Sequence, residues 1–113
     1  MSDCIFCKII NGEIPSTSVF QDEQTYAFRD IAPAAPTHIL IVPKQHIDSV
    51  NAMTEADEQV IGHLFNVARQ IAAQEGLSEP GYRLIINTNA NAGQTVFHIH
   101  LHLLGGMQLK AMG

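Results

Sequence analysis

The sequence contains no tryptophan, only 2 cysteines, and only 6 Lys plus Arg against 11 Asp plus Glu. The shortage of cations leaves a formal net charge of -5, a field that repels a phosphate backbone, so general DNA or RNA binding is disfavoured. No apolar run approaches the ~18 residues of a spanning helix, and no basic flank precedes an apolar stretch near the first residue. A membrane partner is therefore not expected, and the expected compartment is the cytoplasm. Two cysteines are too few for a disulfide framework, and in a reducing compartment Cys4-Ile5-Phe6-Cys7 reads as metal ligands or a redox pair. Internal repeats and low-complexity tracts are also missing. What is present is 113 residues, 46% hydrophobic and 15% charged, the profile of one compact domain over 1–113. A chain of that size buries roughly two-thirds of its unfolded surface without staples.

The apolar spacing within Cys4 to Ile10 predicts a short helix, ended by Asn11-Gly12 and Pro15. Ser18 to Gln21 and Thr25 to Arg29, joined by Asp22-Glu23-Gln24, predict a hairpin. Ile39-Leu40-Ile41-Val42, closed by Pro43, reads as a buried strand. Thr54 with Asp57 three residues on resembles a capping box, and an apolar stripe from Val60 to Ala72 predicts one long helix ending at Gly76. Glu55, Asp57 and Glu58 suit the first turn of that helix, and His63 within it is expected to face solvent. Tyr82 to Asn87 and Thr95 to Leu104 predict two further strands around a loop rich in Asn and Gly. The expected fold class is α+β, a five-stranded antiparallel sheet with one long helix.

In the last of these strands Phe97, Ile99, Leu101 and Leu103 alternate with His98, His100 and His102, which predicts one apolar face and one imidazole face. Three such rings are poor core filler, because each brings polar nitrogens that need partners and titrates near neutral pH. Strand positions two apart lie ~7 Å from each other, so His100 in the middle is the natural focus. A neutral imidazole attacks phosphorus or carbonyl centres when its other nitrogen is held by an acceptor. Just upstream, Gly93-Gln94-Thr95 offers close backbone approach, amide donors and a hydroxyl suited to a phosphate.

The run from Gly93 to Leu104, with its His-x-His-x-His core, resembles the signature of the histidine triad (HIT) superfamily. Ile5 to Ile10, Ala27 to Ile31, Ala35 to Leu40, Gly81 to Arg83 and Leu104 to Gly106 are similar to its Hint branch in order and spacing. The resemblance implies a two-fold homodimer. It implies a purine nucleoside phosphoramidase in which His100 attacks the α-phosphorus of a nucleoside 5'-phosphoramidate, or of an aminoacyl-adenylate, and the nucleotidyl-histidine is then hydrolysed to the 5'-monophosphate. Catalysis would fall to His100, His38, His102 and His98, with His38 and His102 flanking the phosphate and assisting proton transfer. Asn87, Gly93, Gln94 and Thr95 would bind phosphate oxygens and Asp30 the ribose hydroxyls, while Ile5, Phe6, Ile9, Phe28 and Leu40 would surround the base of an AMP-like or GMP-like ligand. Thr95 stands where many relatives carry Ser, and Met107 where Arg is frequent.

Some bacterial relatives with the Cys-x-x-Cys pair use it to hold zinc. Tetrahedral zinc needs further ligands, and His46 and His98 are the candidates beside Cys4 and Cys7. Idle thiols and redox use remain alternatives, the latter without a thioredoxin-like βαβ pattern to support it. At the level of function two rivals stand: a zinc-dependent hydrolase whose His-x-His strand holds the metal, and a nucleotide-binding adaptor that needs no turnover.

Overall fold

The computed structural model describes residues 3–112; Met1, Ser2 and Gly113, the outer ends of the expected 1–113 domain, lie outside the described residues. Helix α1 (Ile5–Ile10) leads into β1 (Ser18–Gln21), β2 (Thr25–Arg29) and β3 (Thr37–Pro43), then α2 (Glu58–Gln74), β4 (Tyr82–Ile85) and β5 (Leu101–Gly105). All neighbours pair antiparallel in the order β1-β2-β3-β5-β4, so the α+β fold class stands.

A helix of α1's length is not stable by itself; it is held by Phe6 and Ile9, which pack with Tyr26, Phe28, Leu40 and Val42 on one face of the sheet. The opposite face is covered by α2, whose Leu64, Val67, Ala68 and Ile71 bury at helical spacing against Ile39, Ile41, Leu101 and Leu103. Strand β3 is thus sandwiched from both sides, which is why its apolar run is continuous rather than alternating. Ahead of α2 a 3-10 turn spans Glu55–Asp57, and the Thr54 amide donates to Asp57 Oδ2 at 2.9 Å, the acid-to-backbone half of the expected capping box.

Three expectations are corrected. The strand expected over Thr95 to Leu104 begins only at Leu101, where its pairing with β3 ends opposite Ile41, one residue beyond the last β4 pair of Ile85 with His102. The preceding segment bonds elsewhere: Ile99 N–H donates to Ile47 O at 2.7 Å. His98 and His100 therefore precede the strand, and Phe97 is 47% exposed instead of joining an apolar face. The strand expected to reach Asn87 stops at Ile85, the last residue paired with β5. His63 is half-buried and does not simply face solvent: its Nε2 lies 2.7 Å from Asp22 Oδ2. Asp22 Oδ1 meanwhile accepts the Gln24 and Thr25 amides that close the β1–β2 turn. Burial pushes Asp22 up, but His63 and those two amides outweigh it and hold the carboxyl below its usual range.

Candidate active site

The β3–β5 register sets Leu40 opposite His102 and His38 opposite Leu104, so His38 and His102 are diagonal neighbours on one sheet face. Their rings meet with His38 Nε2 3.0 Å from His102 Nδ1. Two residues upstream, His100 Nδ1 lies 2.8 Å from His98 O. A carbonyl only accepts, so Nδ1 carries the proton and Nε2 keeps its lone pair. Phe6 stands edge-on to His100 at 5.0 Å and to His98 at 6.0 Å, and its ring also meets Phe28 at 5.5 Å. The short helix α1 thus supplies the wall between two of the triad histidines.

Burial shifts every one of these rings. Desolvation lowers His100, opposed by its bond to the His98 carbonyl, and lowers His38, where Asp30 pulls the other way. For His102, burial together with the neighbouring His100 and His38 brings the pKa down to about 4. His98, with no solvent exposure, is also lowered by burial, against the pull of the Pro43 carbonyl. Neutral imidazoles are what a nucleophile and its hydrogen-bonding neighbours require.

A cavity of about 300 Å³ opens over His100 and His102 and is lined by Ile5, Phe6, Ile9, Phe28, Leu40, Asp30 and Thr95. The first six are the residues expected to surround a base and a ribose, gathered from α1, β2 with the residue after it, and β3, and Thr95 from the loop before His98 is one of those expected at the phosphate. His38 stands behind His102 and is not part of that lining. Asp30 Oδ1 accepts the Ala32 amide at 2.8 Å, and Oδ2 lies 3.4 Å from His38 Nε2. Asn87 and Gly93 do not line the cavity. Neither does Gln94: its buried side chain accepts the Asn89 amide and donates to Asp48 O and Val96 O, which consumes its polar atoms in shaping the loop. Ile14, Pro15, Ser16, Arg29, Ile31 and Val96 also line the cavity and escape the sequence reading; the Ile14-Pro15 pair carries the one available signal, an extended entry after α1.

His98 turns away from His100 toward the cysteines. Its Nδ1 lies 3.4 Å from Cys4 Sγ and 3.5 Å from Cys7 Sγ, and His46 Nδ1 lies 3.3 Å from Cys7 Sγ. All the ligand atoms of Cys4, Cys7, His46 and His98 fall within 4.8 Å of one another. Zinc bonded tetrahedrally to sulfur and nitrogen separates those atoms by about 3.6 Å, so the donor set and its spacing fit that ion. The far nitrogens are engaged as metal-binding histidines require, His98 Nε2 with Pro43 O at 2.7 Å and His46 Nε2 with Asp48 Oδ1 at 2.7 Å. Sequence reasoning misses Asp48 and the Pro43 carbonyl; a backbone oxygen has no sequence signature. His100 belongs to neither of the metal-capable groups found among the described residues, so the three triad rings do not converge on one ion.

Comparison with known proteins agrees with this geometry. The HIT domain family model matches residues 11–109. The chain is 56% identical over 110 residues to the purine nucleoside phosphoramidase of Escherichia coli K12, covering 97% of this chain and 92% of that protein. It is 52% identical over 112 residues to a 14 kDa zinc-binding protein of Zea mays, covering 96% and 86%. The crystal structure of a HIT family hydrolase from Legionella pneumophila superposes with a TM-score of 0.94 at 53% identity, covering 96% of each chain.

Proposed function

The chain belongs to the HIT domain family, and from that premise we propose that it is a purine nucleoside phosphoramidase, built as one domain over 1–113. The observation that carries the reading is His100, buried at the foot of the cavity with Nδ1 tied to a carbonyl and Nε2 left as the lone pair. In the first step that nitrogen forms a bond to the α-phosphorus while the phosphorus–nitrogen bond of the substrate breaks. The electron pair leaves with the amine, which takes up a proton from solvent. In the second step water attacks the phosphorus, the bond to His100 breaks, and the nucleoside 5'-monophosphate departs with the neutral ring restored. An aminoacyl-adenylate reacts at the same phosphorus, with a carboxylate leaving in place of the amine.

The purine base lies among Ile5, Phe6, Ile9, Phe28 and Leu40, and Asp30 accepts the ribose hydroxyls. Phosphate oxygens meet Thr95 and backbone amides of the Gly93 to Thr95 segment; Asn87 reaches them only if the ligand extends past the cavity lining. A neutral donor set suffices for one phosphate in a dry pocket, consistent with the acidic balance of the chain. Cys4, Cys7, His46 and His98 hold a structural zinc ion. All four positions are protein ligands, so the ion braces α1 against the loop before β5 and keeps Phe6 against His100. The protein works as a cytoplasmic homodimer; the dimer reading is supported by β4 ending the sheet, since an edge strand can pair with a second copy.

Turnover of adenosine 5'-phosphoramidate and lysyl-adenylate by wild type and His100→Ala, with intact mass for the trapped adduct, tests the reading. Loss of several orders of magnitude in the variant and a nucleotidylated wild-type protein are expected. Near-normal turnover by His100→Ala refutes the assignment, and nucleotide binding without turnover in the wild type identifies an adaptor instead.

A further inference from the structure

Asp30, His38 and His102 bring one carboxylate oxygen and two imidazole nitrogens within 4.8 Å of one another, the donor set of a 2-His-1-carboxylate metal site. The hydrogen bonds behind the trio point to different chemistry. The Ala34 amide lies 3.0 Å from His38 Nδ1. A backbone N–H only donates, so Nδ1 presents a lone pair and the proton of the neutral ring sits on Nε2. That Nε2–H faces His102 Nδ1 at 3.0 Å, with Asp30 Oδ2 as a longer acceptor at 3.4 Å. His102 Nδ1 must then be a lone pair too, and the His102 proton sits on Nε2, on the ring that lines the cavity. Burial keeps both rings neutral, as the chain of bonds requires.

We propose that the Ala34 amide fixes the tautomer of His102 through His38, so that His102 presents Nε2–H to the cavity as a standing hydrogen-bond donor for a phosphate oxygen. His38 is accordingly a positioning residue. The chain cannot pass a proton through from behind, because it ends on an amide that neither gives nor takes one. If His102 released its Nε2 proton and drew on His38, His38 would be left an imidazolate. A metal on His38 Nε2 would demand the same imidazolate, so the trio is a donor chain and not an ion site. The proton-transfer role that the family resemblance assigns to these two histidines narrows to hydrogen bonding.

The identity of the phosphate rests on the function proposed above, but the tautomers belong to the protein alone. Nitrogen-15 NMR of the imidazoles in the full chain at neutral pH reads them directly. A pyridine-type Nδ1 and a pyrrole-type Nε2 are expected for both rings. His38→Ala should convert His102 to a tautomer mixture, whereas His38→Gln, whose amide can donate to His102 Nδ1, should preserve the single form. A pyrrole-type Nδ1 on either ring in the wild type overturns the proposal whether or not a phosphoramidate is hydrolysed. If the variants do not fold, the wild-type spectrum decides alone. An absence of turnover with these tautomers in place counts against the proposed reaction and leaves the donor chain standing.

Discussion

Acidification through the interval between pH 6.5 and about 4 should weaken the folded state, and one ring can be singled out for its share. The unfolded chain binds a proton on His102 near its ordinary value of 6.5, whereas burial beside His100 and His38 holds the folded ring near 4. Between those values the unfolded state carries more protons, so stability is complete above 6.5 and is lost as the pH falls toward and through about 4. At about 1.4 kcal/mol per pH unit, that interval sets a ceiling of about 3.4 kcal/mol. The ring is half-buried, and solvent screening brings the expected contribution to roughly 1–2 kcal/mol. Urea unfolding of wild type and His102→Gln across the interval reads this share together with its coupling to His38 and His100, while groups that do not touch the ring cancel in the difference. The wild type should lose roughly 1–2 kcal/mol relative to the variant as the pH falls. A difference that stays flat would refute the argument, since it would mean that folding does not perturb this imidazole.

Protein prepared without a histidine tag should carry about one equivalent of zinc. Chelation or Cys7→Ser should lower the thermal midpoint while nucleotidylated protein still forms, and less than about one-tenth of an equivalent with reduced thiols ends the zinc assignment. Asp57→Ala removes the acceptor of the Thr54 amide and of Gln45 Nε2 and should destabilise by about 1–2 kcal/mol in denaturant titration; an unchanged midpoint would show that the turn ahead of α2 holds without it. Gln94→Ala deletes bonds to the Asn89 amide, Asp48 O and Val96 O. Steady-state kinetics should register this as a raised KM with a smaller change in kcat, because the loop carrying Thr95 loosens while His100 stays in place; a selective fall in kcat would contradict that separation.

Elements marked by a periodic pattern are legible in the residues alone. The α2 stripe, the β1–β2 hairpin and the apolar run of β3 each rest on contacts repeated at short sequence range, and all three appear where the residues place them. The last strand is misleading because alternation over Thr95 to Leu104 is a property of the sequence, while a strand needs a partner backbone. Upstream of Leu101 the register ends with both neighbours, at Ile41 on β3 and at Ile85 on β4, and the Ile99 amide bonds to the Ile47 carbonyl outside the sheet. His63 is hard to place for a related reason: its partner Asp22 lies on a different element, 41 residues away.

The residue types themselves determined what chemistry is available: imidazoles in alternation, a Cys-x-x-Cys pair, and a loop of amides and a hydroxyl beside them. Which imidazole does what was decided by tertiary structure. His98 is drawn to the cysteines 94 and 91 positions away, His102 to His38 across 64, while His100 is held by the carbonyl of His98. Hydrogen bonds act over about 3 Å and fix one ring nitrogen at a time, so three side chains identical in the sequence become three different groups only once sheet register and helix packing have chosen the neighbours of each.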